Sequence, residues 1–134
     1  MSSLERRSYP SDVGELRAMS AWWRHWAESA GLGDDIGTRA ELCLNEAISN
    51  IIRHGGAGAP ITITLALEPL AVQITIVDEG PPFDPVTHPA ADPPRTLEQA
   101  RPGGLGVRIM RTSADDLDYF RLGALNTLTL TFFR

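Results

Sequence analysis

No lysine occurs among the 134 residues, so all twelve side chains counted as Lys or Arg are arginines. That absence excludes Walker A loops, eukaryotic-type kinase sites and Schiff-base catalysis, each of which uses a lysine amine directly. Cysteine is almost as scarce. Cys43 stands alone amid apolar residues, which rules out a disulfide framework or a CxxC metal site and points to a reducing, cytoplasmic setting. No uncharged apolar run approaches the ~20 residues needed to cross a bilayer, and MSSLERRSYP has no apolar signal core, so a soluble protein without membrane contact is expected. With a net charge of −5 and no basic stripe, direct nucleic-acid binding is not expected either. Any phosphate bound by this chain must be held by backbone N–H groups, arginine, histidine or metal.

The length suits one compact domain, 1–134, and neither a repeat nor a break in composition divides it. Asp12 and Glu15 have capping-box spacing, and Leu16, Met19, Trp23, Trp26 and Ala30 then recur every three or four residues up to Gly31, predicting an amphipathic helix. Tryptophans at this spacing are core or interface anchors more often than ligand platforms. A second helix is expected from Asp34 or Asp35 through ELCLNEAISNIIRH until Gly55-Gly56 stop it.

From Pro60 the period becomes two. Ile61, Ile63, Leu65 and Leu67, then Val72, Ile74 and Ile76, alternate with smaller or polar residues around Glu68-Pro69-Leu70, as in a hairpin with one buried face. Residues 79–102 hold seven of the ten prolines and little periodicity, and a loop of that length is read as a lid. A glycine turn and a short helix through about Ala114 follow. Two alternating segments, 117–122 and 127–133, turn around Gly123–Asn126. The expected class is α+β, a two-layer sandwich with helices on one face of a mixed, mainly antiparallel sheet.

Three constellations carry chemistry. Glu46 and Asn50, four apart on the second helix, are neighbours with Cβ atoms ~5–6 Å apart. A carboxylate and an amide oxygen so placed suit a Mg²⁺ ion and a proton acceptor, although such pairs are more often solvated surface. In VDEGPPFDP, Asp78 leaves a strand just before Gly80. A carboxylate there accepts a hydrogen bond from an exocyclic amine and the glycine admits a flat ring, a description of adenine recognition; an ordinary turn has the same composition. In RPGGLGVRIM, glycines open a helix and offer free N–H groups and the helix dipole to an anion, as helix starts in general do.

Taken in order, Glu46-xxx-Asn50, Asp78-x-Gly80, a proline-rich lid and Gly104-x-Gly106 form a series that resembles the Bergerat-type (GHKL, histidine-kinase-like) ATPases across nearly the whole chain. NEAISNIIRHG, DEGPPFDP and GGLGVRIM look most like the bacterial anti-sigma-factor serine kinases. The resemblance implies ATP and Mg²⁺ as cofactors, Asn50 as metal ligand, Glu46 as base toward a substrate serine, and Asp78 on the adenine amine with Gly80 beside the base. It also places Gly104, Leu105 and Gly106 along the phosphates. His54 matches a polar position near the phosphates and equally a helix cap. Arg101 and Arg108 flank the glycine turn, suited to neutralising γ-phosphate or to plain solvation. Pro82 departs from the wider pattern, which has a second glycine there. The implied function is an anti-sigma factor that sequesters a sigma factor and phosphorylates a STAS-type anti-anti-sigma partner on serine, as a homodimer. A detached catalytic domain of a sensor histidine kinase and a non-catalytic adaptor are the alternatives.

Overall fold

A computed structural model describes residues 3–55, 59–87 and 104–134. The chain runs β1 (Leu4–Pro10), a 3₁₀ turn (Val13–Glu15), α1 (Leu16–Ser29), α2 (Asp34–His54), β2 (Pro60–Leu67), β3 (Ala71–Asp78), α3 (Gly104–Ser113), β4 (Asp116–Leu122) and β5 (Leu125–Phe133). The strands form one sheet in the order β1-β2-β3-β5-β4, and all four pairings are antiparallel. The class is therefore the expected α+β, with three helices on one face of the sheet.

Local chemistry sets each boundary. Asp12 is extended and its Oδ1 accepts from Gly14 N at 2.9 Å, while Glu15 makes no side-chain cap, so the capping box forms only in part and opens a 3₁₀ turn before α1. α1 ends in a Schellman arrangement: Gly31, at φ 72°, donates to Glu28 O and Leu32 donates to Ala27 O, both at 3.0 Å. Asp34 and Asp35 in the first turn of α2 and Arg53 and His54 in its last turn complement the helix dipole.

The period-2 pattern buries Ile61, Ile63 and Leu65 of β2 and Val72, Ile74 and Ile76 of β3, with Leu67 partly covered, and Leu128, Leu130 and Phe132 extend that apolar floor across β5. Trp23, Leu44, Ile48 and Met110 from the three helices close on it. All three tryptophans are buried, with Trp22 Nε1 donating to Glu5 Oε2 and Trp23 Nε1 to Gly37 O, both at 2.9 Å. They are core, not an exposed aromatic surface for a second copy.

Two sequence expectations need correction. β1 was not anticipated, because LERRSYP carries three charges and only Tyr9 turns a large apolar ring toward the core; it is an edge strand, where charge is tolerated and the buried face is thin. The β4–β5 turn is tighter than Gly123–Asn126. Leu122 pairs with Leu125, leaving only Gly123 (φ 60°) and Ala124 as the turn, and Asn126 lies inside β5.

Candidate functional site

The apolar stripe of β3 ends in a charge. Val72, Ile74 and Ile76 face the helices, and Asp78 continues the same face with 7% of its surface exposed. Its partner in the sheet register is Asn126, and Asn126 pairs on its other side with Arg121 of β4. Asp78 Oδ1 accepts from Gly80 N at 2.8 Å and from Asn126 Nδ2 at 3.1 Å. Both bonds end on Oδ1, so Oδ2 is the oxygen left to a ligand in the cavity that Asp78 lines.

The cavity, about 430 Å³ including its open mouth, lies between the C-terminal half of α2, the ends of β3 and β5, and the 80–85 segment. Asn50, His54, Asp78 and Gly80 line it together, with Ile51, Phe83, Met110 and Leu128 supplying apolar wall. Two glycines allow the walls to meet. A Cβ on Gly80 would stand 2.9 Å from Asp78 Oδ1 and 3.3 Å from Gly55 Cα, and one on Gly55 would stand 2.6 Å from Ile51 O.

On α2, Asn50 is 4% exposed; its Oδ1 accepts from Arg53 Nη1 at 3.2 Å and its Nδ2 has no partner. A buried amide left unpaired costs about 1–3 kcal/mol, so such a group marks a place where a ligand or water completes the site. Glu46, one turn earlier and half-buried, sits against α3 instead of lining the cavity: a Cβ on Gly106 would lie 2.5 Å from Glu46 Oε2. His54 is exposed and stacks on Phe83, with ring centroids 5.1 Å apart and planes inclined by 14°. It packs as an aromatic on the segment after β3.

Gly104 and Leu105 open α3, while Arg108 points to solvent and Arg101 lies outside the described residues, as does the expected lid beyond residue 87. The part of that loop that is described is anchored. Asp84 accepts from Val86 N and Thr87 Oγ1, and Arg111 donates to Pro85 O at 2.8 Å and Val86 O at 2.7 Å.

Sequence reasoning passed over Asn126, Tyr119, Arg111 and Arg121. A signal existed for Asn126, since the inward positions of β5 read Asn126, Leu128, Leu130, Phe132 and a lone amide opens an apolar stripe. Cys43, one turn before Glu46, is no nucleophile: burial pushes its thiol up to about 12, Glu46 adding to the effect and Arg39 opposing it. Among the described residues no group of three His, Cys, Asp or Glu side chains could cage a metal, and no helix is long and apolar enough to cross a membrane.

Comparison with known proteins agrees with this geometry. The family model for the histidine kinase-like ATPase domain matches residues 9–132. The chain is 38% identical over 116 residues to the serine/threonine-protein kinase BtrW of Bordetella bronchiseptica, covering 80% of each protein. Among solved structures it is similar to the RsbU and RsbW domains of a Mycobacterium tuberculosis protein, with a TM-score of 0.72 and 14% identity, covering 98% of this chain and 32% of that one. The histidine kinase AdeS of Acinetobacter baumannii shares the fold more distantly, with a TM-score of 0.55 and 16% identity over 95% of this chain and 67% of that one. An antiparallel sheet under three helices, a carboxylate at the end of β3 and a family match over nearly the whole length lead to one assignment: the chain belongs to the histidine kinase-like ATPase domain family.

Proposed function

We propose that this protein is an ATP- and Mg²⁺-dependent serine kinase that acts as an anti-sigma factor, sequestering a sigma factor in the cytoplasm and phosphorylating a STAS-type anti-anti-sigma partner. Its similarity to a serine/threonine-protein kinase supports the kinase class. The observation that carries the reading is the buried Asn50 amide with an unpartnered Nδ2, in a cavity that Asp78 and Asn126 line with it.

The residues fit the substrate and the metal. Asp78 is acceptor-only when ionised, which selects a base bearing an exocyclic amine. Asn50 would offer Mg²⁺ its amide oxygen in place of the Arg53 Nη1 it accepts from at 3.2 Å, and the ion takes few protein ligands, completing its shell with waters and phosphate oxygens. When bound, the metal supplies neutralisation of phosphate charge. Gly104, Leu105 and Gly106 give the first N–H groups of α3 to the phosphates. Glu46 would accept the proton of the attacking serine hydroxyl, a role that its position against Gly106 of α3 supports. Transfer then depends on positioning and charge neutralisation. A homodimer is part of the proposal and rests on the resemblance alone.

Incubation with γ-labelled ATP, Mg²⁺ and a candidate STAS protein from the same genome should label a serine on that protein. Nucleotide binding without any labelled partner, with sigma-factor capture intact, would replace the kinase by the adaptor.

A further inference from the structure

Asp78 can distinguish a base only if its carboxylate is held in one orientation, and the side chain that holds it is Asn126. Four observations converge there. Asn126 is 5% exposed, so its amide must find its partners inside the protein. Nδ2 donates to Asp78 Oδ1 at 3.1 Å, Gly80 O at 3.2 Å and Pro81 O at 2.9 Å, spanning the whole turn beside the cavity. Oδ1 accepts from Tyr119 OH at 2.5 Å and from Arg121 Nη1 at 3.1 Å. Arg121 Nη1 donates also to Gly80 O at 2.8 Å, closing the network on the same turn.

The sense of the amide follows from these partners. A guanidinium only donates, so the atom facing Arg121 must be the oxygen; two carbonyls and a carboxylate oxygen only accept, so the atom facing them must be the nitrogen. A flipped amide would set like groups against each other on both sides. The network therefore has one low-energy arrangement, and in it Asp78 Oδ1 is already occupied.

We infer that Asn126 is a positioning residue that sets base specificity: by occupying Asp78 Oδ1 and fixing the 78–81 turn, it directs Oδ2 to the exocyclic amine of the nucleotide, and Tyr119 and Arg121 lock its amide. The inference rests on the adenine-nucleotide reading of the cavity proposed above. It adds that selectivity resides in the β5 and β4 side chains as much as in Asp78.

Calorimetry with ATP and with its 6-deamino analogue, purine riboside triphosphate, tests this on the full chain. The wild type should prefer ATP by at least about tenfold, because the analogue leaves Asp78 Oδ2 unpaired. In Asn126→Ala that ratio should fall toward one, since the carboxylate keeps only the Gly80 N–H, on a 78–81 turn that has lost its side-chain support. A merely structural role would weaken both ligands alike and keep the ratio, and that result overturns the inference while leaving the ATP-binding reading intact. Should Asn126→Ala fail to fold, Tyr119→Phe removes a single hydroxyl from the lock, and an unchanged ratio in that variant overturns it equally. A wild-type chain that binds neither triphosphate removes the inference and the functional reading together.

Discussion

Gly106 stands where catalysis and stability pull in opposite directions. It is the third residue of α3, with no positive φ to require glycine, so Gly106→Ala should favour the helix by up to about 1 kcal/mol. Opposing this, the new Cβ would lie 2.5 Å from Glu46 Oε2 and 3.4 Å from its Cδ. The clash is with the far end of a flexible side chain, not with backbone, so the carboxylate gives way. Holding Glu46 in place off its rotamer costs about 0.5–1.5 kcal/mol, comparable to the helix gain, and the net stability should stay within about 1 kcal/mol of wild type. The carboxylate, however, leaves the position from which the proposed function has it act as base, and a positioned base contributes about 10²–10⁴-fold in rate. Urea denaturation beside single-turnover transfer to the STAS partner reads both quantities. A variant as active as wild type would show that the position of Glu46 beside α3 has no catalytic meaning, and a stability loss above about 3 kcal/mol would show that the packing there is rigid.

Glu46→Gln is expected to keep Mg·ATP affinity in calorimetry and lose transfer by at least about 10²-fold, whereas Asn50→Ala should weaken Mg·ATP itself while changing stability by less than about 1 kcal/mol, since the amide it removes is already short of a partner. Cys43 provides a pH test. Its thiol is raised from 9.0 to about 12 in the folded chain, so the unfolded state loses the proton first and the stability held by the neutral thiol, complete below pH 9, drains away as pH rises toward 12. Wild type should lose on the order of 1 kcal/mol per pH unit more than Cys43→Ala across that window, measured by denaturant midpoints, and parallel curves would refute it.

The parts of this fold written in strong periodicity were legible in the sequence. α2 was placed from Asp34 to the glycines after His54, and the β2–β3 hairpin was placed because seven alternate positions, Ile61 to Leu67 and Val72 to Ile76, are apolar without interruption. β1 escaped because its pairing with β2 is almost wholly backbone, and side chains such as Arg6 and Ser8 reach only Thr64 and Thr62 on the outer face. In the candidate site, Glu46, Asn50 and Asp78 stood out because order along the chain gave them meaning. Asn126 did not, because its role depends on register: nothing in ALNTLTL says that the amide will lie between Asp78 and Arg121. Turn composition misled as well, since Asn after Gly-Ala-Leu reads as a loop residue until the two-residue turn is known.

The absence of lysine has a counterpart in how the arginines near the cavity are used. Arg121 holds Gly80 O and the Asn126 amide, Arg111 holds Pro85 O and Val86 O, and Arg53 bonds to Asn50 Oδ1; none of the three lines the cavity. Asp78 does line it, and under the proposed function this end would read an amine on an uncharged ring and repel a phosphate. A triphosphate must therefore extend away from Asp78, toward α3. The helix dipole there is worth only about 0.3–1 kcal/mol per anionic group, too little to offset several phosphate charges beside the Glu46 carboxylate. Under the proposed function the remainder would come from Mg²⁺ at Asn50 and from arginines flanking the glycine turn, of which Arg108 is exposed on α3. On this reading the base end is specified by rigid hydrogen bonds within the sheet. The phosphate end is neutral only when metal, helix and arginine act together, which makes the nucleotide's tight binding conditional on the same groups that position it for transfer.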